Sequence, residues 1–190
     1  MATLLVDADI MVYKITSSTE EPTNWDGDLW TMHCDFAQAK KNISDTIDAL
    51  VDKVKVDSVI LCFSDKLNFR KDINLEYKLT RKKTRKPMCY VPALEFCKEN
   101  YKYEIKPKLE ADDVMGIMAS GNDEYIIYSE DKDLLTIPGL HWDIKKEVVW
   151  EQSKDHADYH FYKQTLTGDT TDGYNGCPTI GPKRAEAILE

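Results

Sequence analysis

Long apolar runs are missing from this chain. None approaches the ~20 residues a membrane-spanning helix needs, and Asp7 comes too early for a secretory leader. Paired cysteines are missing too. The five cysteines (Cys34, Cys62, Cys89, Cys97, Cys177) are odd in number and contain no CxxC pair. They are therefore read as reduced thiols of a cytoplasmic protein, neither a disulfide nor a zinc framework. Only His156 and His160 have metal-like spacing, and they lack a Glu neighbour and a third ligand. No repeat and no low-complexity tract is present. What remains is a chain of 190 residues, 42% hydrophobic and 31% charged, enough for one soluble domain with a real core.

Charge is unevenly spread. From Lys66 to Lys108, thirteen Lys/Arg face five acids, a net of +8, while the whole chain carries −9 and the remainder therefore −17. The densest part, Tyr77 to Pro87, holds Lys78, Arg81, Lys82, Lys83, Arg85 and Lys86 with no acid. Such asymmetry suggests a grip for a polyanion beside an acidic centre that needs cations. A solvated basic loop is the bland alternative.

Taken in order, Thr3 to Val6 reads as a buried strand ending in Asp7-Ala8-Asp9, with a helix beginning at Ile10. Thr16 to Asp28, polar with Pro22 and Gly27, reads as a loop. Apolar residues from about Trp30 to Lys53 recur at helical spacing. Ser58 to Phe63 is a second buried strand, ended by Ser64-Asp65. Val91 to Asn100 reads as a helix and Tyr103 to Ile105 as a short strand. A helix follows Glu110-Ala111-Asp112-Asp113. Glu124 to Tyr128 is a fourth strand, ended by Ser129 to Asp133. Leu140 to Asp143 and Val148 to Trp150 are expected as edge strands, Asp155 to Thr167 as a helix, and Ala185 to Glu190 as a last one. The one weak linker candidate is Lys145 to Lys154. This alternation predicts an α/β domain around a largely parallel sheet, whose ligands gather at the carboxyl ends of the strands.

Nine acids stand at those ends or in tight turns: Asp7, Asp65, Glu110, Asp112, Asp113, Asp131, Asp133, Asp169 and Asp172. Any one alone is more simply a solvated acid or, near Glu110, a favourable charge at a helix start. Together they would repel one another unless cations intervene, and oxygen-only donors suit magnesium or manganese. Two such ions about 3.5–4 Å apart hold the attacking and leaving oxygens of a phosphodiester cleavage. Lys78 and Arg81 are placed to steady the phosphate. The remaining cations give sequence-independent backbone contacts. Gly181, at a turn that opens a helix, and Lys183 offer a further phosphate contact. Asp7-Ala8-Asp9 also looks like the opening of haloacid-dehalogenase-like phosphatases, but Met11 stands where that pattern wants Thr or Val.

Six pieces occur together: Val6-Asp7-Ala8-Asp9, Phe63-Ser64-Asp65, Tyr77-Lys78 with Arg81, Leu109 to Gly116, Ser129 to Asp133, and Gly168-Asp169 with Asp172-Gly173-Tyr174. In this order they resemble the flap endonuclease / 5′ nuclease superfamily, closest to the 5′-to-3′ exonucleases of T7-like short-tailed phages. The resemblance implies a PIN-like catalytic domain over 1–150 with a basic arch over about 77–109. Residues 151–190 would start a helix–three-turn–helix element, truncated because the chain stops inside its last helix. It implies a two-metal enzyme that hydrolyses duplex DNA and RNA–DNA hybrids from a 5′ end in phage replication, recombination and primer removal. The expected cofactor is Mg2+, with Mn2+ able to substitute, in a monomer of the host cytoplasm. By motif position Asp7, Asp65, Glu110 and Asp112 hold one metal cluster and the other five acids the second. Lys78, Arg81 and Tyr77 take the catalytic positions, Tyr77 stacking on a base. Lys82, Lys83, Arg85, Lys86, Gly181 and Lys183 hold DNA. The stretch from Tyr77 to Glu110 is shorter than the arch of many flap endonucleases. The competing readings are a flap endonuclease, a non-catalytic nucleic-acid-binding module and a metal phosphatase.

Overall fold

The computed structural model describes residues 2–78 and 84–190. Its centre is a six-stranded sheet in the order β5-β4-β1-β6-β7-β8. The strands are β1 (Thr3–Asp7), β4 (Ser58–Phe63), β5 (Tyr103–Ile105), β6 (Tyr125–Tyr128), β7 (Gly139–Asp143) and β8 (Val148–Gln152). All neighbours are parallel except β8, which runs antiparallel to β7. β1 lies between β4 and β6, so three carboxyl ends meet side by side.

Short apolar runs make these strands because both faces are covered. Leu4 and Val6 point into one core with Leu61, Phe63 and Ile126. Leu5, Cys62 and Ile127, one residue out of step, point into the other. The first core is closed by α1 (Ala8–Ser18), α2 (Phe36–Val54) and α4 (Tyr90–Asn100), the second by α5 (Ala111–Ala119). In α2 the buried residues Ala39, Ile43, Ile47, Leu50 and Val54 recur every three or four positions, and each large one contributes roughly 1.5–3 kcal/mol on burial. A 3-10 turn (Lys132–Thr136), α6 (Lys154–Thr167) and α7 (Pro182–Leu189) complete the chain, and α3 (Arg70–Ile73) is a single turn before the basic run. Among the described residues no helix is long and apolar enough to cross a membrane.

Five expectations need correction. The stretch read as a loop ends α1 and then forms a hairpin, β2 (Glu20–Asp26) and β3 (Leu29–Cys34). Pro22 and Gly27 looked like loop residues. In a two-stranded ribbon both strands are edges, where proline is tolerated, and Gly27, at φ 53°, makes the turn. Trp30 therefore belongs to β3. The helix starts only after Asp35, whose carboxylate accepts from the Gln38 N–H at 3.1 Å. Of the two expected edge strands only β8 is one, because β7 sits between β6 and β8. The linker candidate is the β7–β8 turn followed by β8 itself, a strand that also crosses residue 150. Finally, Cys34 and Cys89 are paired as a disulfide across 55 residues, leaving Cys62, Cys97 and Cys177 free.

Candidate metal centre

Asp7 is both the last residue of β1 and the N-cap of α1, its Oδ1 accepting from the Ile10 N–H at 3.1 Å. The position is buried, at 8% exposure. Burial, and then the fields of Asp9, Asp112 and Asp131, push its carboxyl up to about 7. Asp112, in the first turn of α5, is pushed up to about 6 by burial and by Glu110 and Asp113. These acids crowd one another at the edge where β1, β4 and β6 end. Asp9 lies in the first turn of α1. It ties α1 to its neighbours, accepting from Ser64 N at 2.8 Å and Tyr90 Oη at 3.3 Å.

A second group surrounds the N-terminus of α5. Glu110 and Asp113 form a capping box, with the Glu110 N–H donating to Asp113 at 3.0 Å. Glu110 accepts from Tyr77 Oη at 2.7 Å and from Lys78 Nζ at 2.9 and 3.0 Å. Tyr77 Oη also reaches Asp172 at 3.3 Å, and Lys78 Nζ lies 3.7 Å from it. Burial and the bond to Glu110 raise the Tyr77 phenol far above its ordinary range, so it acts as a donor. Asp113 is held on both oxygens by Arg70, at 2.6 and 2.7 Å. Burial pushes Asp113 up, but the Arg70 pair and the Glu110 amide outweigh it and its carboxyl ends below the usual range.

The third group belongs to the 3-10 turn and the loop after α6. Asp131 caps the turn, accepting from Asp133 N at 2.9 Å. Burial and then Asp131 raise Asp133, which accepts from Gln164 of α6. Lys132 holds Asp169 at 2.7 Å and lowers it to about 2. That loop is tight. Gly168 and Gly176 both have positive φ, and a Cβ on either would meet the other strand's backbone.

The structure thus brings Asp112 and Asp131 within the field of Asp7 and sets Glu110, Asp113, Asp133, Asp169 and Asp172 around them, most with a cation. Asp65 is the outlier. It sits after β4 with both oxygens turned to the backbone N–H groups of Lys66 and Lys108, at 2.7 Å each, and these hold it low. Among the described residues no three His, Cys, Asp or Glu already converge on one ion position. Arg81, Lys82 and Lys83 lie outside the described residues. Arg85 pairs with Glu20, and Lys86 lies over the Tyr90 ring at 4.6 Å. Gly181 caps α7, with Pro182 in its first turn and Lys183 exposed.

Sequence reasoning assigned no role to Arg70, Lys14, Lys132 and Gln164. Lys14 pairs with Glu130 and lines the hollow that holds Asp131, Asp169 and Asp172. It stands seven residues after Asp7, two turns along the same helix face, a spacing that could have revealed it. A cleft of about 760 Å³ opens between Arg70, Tyr77, α5 and α6, with Asp112, Asp133 and Asp172 on its wall.

Residues 2–164 match the family described as 5′-3′ exonuclease, N-terminal resolvase-like domain. The chain is 36% identical to the exodeoxyribonuclease of Enterobacteria phage T3 over an alignment of 199 positions, covering 98% of this chain and 65% of that protein. It is 34% identical to the exonuclease of Escherichia phage T7 over 186, covering 91% and 62%. It therefore spans slightly less than two thirds of these relatives. The fold is similar to a T5 5′-exonuclease with bound divalent zinc, at a TM-score of 0.74 and 18% identity over all of this chain and 74% of that one. It is also similar to a bacteriophage T5 flap endonuclease complexed with DNA and metal ions, at 0.72 and 17% over the same shares.

Proposed function

This chain belongs to the 5′-3′ exonuclease family, matching its N-terminal resolvase-like domain, and we propose that it hydrolyses phosphodiester bonds of duplex DNA and RNA–DNA hybrids from a 5′ end, with divalent metal ions. The observation that carries the reading is Asp7: a buried carboxyl at the end of the central strand, raised by burial and by three neighbouring acids. An all-carboxylate donor set of this kind fits hard cations, Mg2+ first and Mn2+ in its place. Asp7, Glu110, Asp112 and Asp131 would hold such ions directly. Asp65, Asp113, Asp133, Asp169 and Asp172 would hold them through water or orient the ligands. When bound, two ions supply Lewis acidity and a water of lowered pKa.

The chain's own groups do the rest. Lys78 Nζ, now shared by Glu110 and Asp172, can turn to a phosphate oxygen and hold charge that grows in the transition state. Tyr77, kept protonated, donates to Glu110 and fixes its orientation. Arg70 holds Asp113, and through the capping box sets the start of α5. Arg81, Lys82, Lys83, Arg85 and Lys86 would grip backbone phosphates. Gly181 and Lys183 at the start of α7 would hold the duplex, while Asp169 and Asp172, in the loop after α6, belong to the metal centre. A monomer suffices for this chemistry. Fold kinship with a flap endonuclease makes flap cutting the second reading.

The test is cleavage of 5′-labelled duplex and hybrid with Mg2+ and with excess chelator. Cleavage should need the metal, and Asp131→Asn should lose it while binding DNA as well or better. Undiminished cleavage in chelator would overturn the proposal.

A further inference from the structure

Cys34 and Cys89 stand 55 residues apart and are bonded to each other. Cys34 ends β3, and Cys89 caps the N-terminus of α4. The helices that follow stand without the bond: α2 is held by its buried stripe, and α4 by Tyr90, Ala93 and Cys97. What the bond fastens is the root of the β2–β3 ribbon. Register pairs Cys34 with Glu20. Glu20 accepts from Arg85 at 2.8 and 2.6 Å and from the Met88 N–H at 2.6 Å. Cys89 follows directly on Met88 and lies one helical turn of sequence beyond Arg85. The disulfide thus bolts Glu20 against the end of the basic run.

The Arg85 side chain is 57% exposed. An ion pair with so exposed a partner is weak on its own. A covalent tie beside it raises the effective concentration of the two groups and keeps the pair closed. While it is closed, the Arg85 charge is turned to Glu20 and away from any phosphate. Disulfides are rare in the reducing compartments where DNA is copied, and those that occur there are mostly transient and redox-sensing. Resting on the nuclease reading above, we propose that Cys34–Cys89 is a redox modification site, and that with Glu20 it forms a latch withholding Arg85 from the DNA backbone until a dithiol reductant opens it. A thiolate of the reductant attacks the sulfur of half-buried Cys34, and buried Cys89 leaves as a thiolate and takes up a proton. The second thiol of the reductant then displaces Cys34, which leaves and is protonated in the same way. Two electrons and two protons pass to the cysteine pair, and the reductant becomes a disulfide. Glutathione disulfide reverses the step. With the bond open, a backbone phosphate competes with Glu20 for Arg85.

The experiment is fluorescence anisotropy on a blunt duplex in chelator, where nothing is cut. The protein is either oxidised with glutathione disulfide or reduced with dithiothreitol. Thiol titration in denaturant defines the two states, with Cys62, Cys97 and Cys177 reacting in the first and all five cysteines in the second. Reduction should tighten binding about fivefold to tenfold at about 0.1 M salt and steepen the salt slope by about one, the mark of one added phosphate contact. Glu20→Gln should bind that tightly in both states, and Arg85→Ala should bind weakly in both. Far-UV circular dichroism confirms that each variant is folded. All five thiols reacting after oxidation, an affinity and slope indifferent to redox state, or a redox response that persists in Glu20→Gln overturns the latch and leaves the nuclease reading standing. Failure of the wild type to bind the duplex in either state overturns both.

Discussion

Replacing Asp7 by Asn should stabilise the metal-free protein at neutral pH. The amide keeps the shape and can still cap α1, but it cannot ionise. In the folded chain the Asp7 carboxyl is raised from 3.8 to about 7, chiefly by burial at 8% exposure. A raised acid binds its proton more tightly when folded. Its contribution to stability is therefore complete below about pH 4 and is lost as the pH climbs toward 7. Three pKa units at 1.36 kcal/mol each set the loss at about 4 kcal/mol, part of it shared with Asp112 through coupled titration. For a chain of this size that is on the order of 10 °C in melting temperature. The assay is thermal unfolding from pH 4.5 to 8 in chelator and in Mg2+. His141, held low by burial, pushes the other way below about pH 6.5, but equally in both proteins. Wild type should lose stability across this range, Asp7→Asn much less. Mg2+, binding only the folded state, should restore wild type by about 2.7 kcal/mol at a hundred times its Kd. Parallel curves for the two proteins, or equal Mg2+ effects on both, would refute the reasoning.

Arg70→Met and Asp113→Asn should each cost about 2 kcal/mol, below the 3–5 of a fully buried pair because both side chains keep some exposure. The double variant should cost clearly less than their sum in urea unfolding, and strict additivity would count against the pair. Lys78→Ala should lower the single-turnover rate about a hundredfold with little change in affinity. Lys83→Ala should instead weaken binding and reduce the salt slope by about one; equal losses of affinity with unchanged rates would remove that distinction. Gly176→Ala, with φ 66° and backbone pressed against it, should cost about 3 kcal/mol or more, whereas Gly173→Ala, at φ 77° but with its nearest neighbour 3.4 Å away, should cost about 1. Similar unfolding midpoints for the two would show that the clasp yields.

Local pattern was legible in the sequence, and distant pairing was not. The runs before Asp7, Asp65 and Ser129 are β1, β4 and β6 because strands buried on both faces need apolar residues in succession. Glu110 and Asp113 cap α5 because three residues is the span of one helical turn. The ribbon was missed because its apolar residues face water, so no buried side announces a strand. Cys34 and Cys89 looked unrelated because the fold, not the local sequence, brings them together. Asp65 and Asp113 looked alike as free acids. Only the three-dimensional arrangement shows one bound by backbone amides and the other by an arginine 43 residues earlier.

The place of β1 in the middle of the sheet also sets when the acidic centre can form. Thr3 pairs with Ser58 on one side and with Tyr125 on the other. The strand made first on the ribosome therefore waits for partners 55 and 122 residues later. At 5–20 residues per second the second partner emerges roughly 6–25 seconds after β1 itself, and such non-local pairing is itself slow to form. Until then Asp7 has neither its burial nor the neighbours that crowd it. A chain released before β6 is made thus carries Asp7, Glu110, Asp112 and the basic run without the pairing that completes the sheet around Asp7.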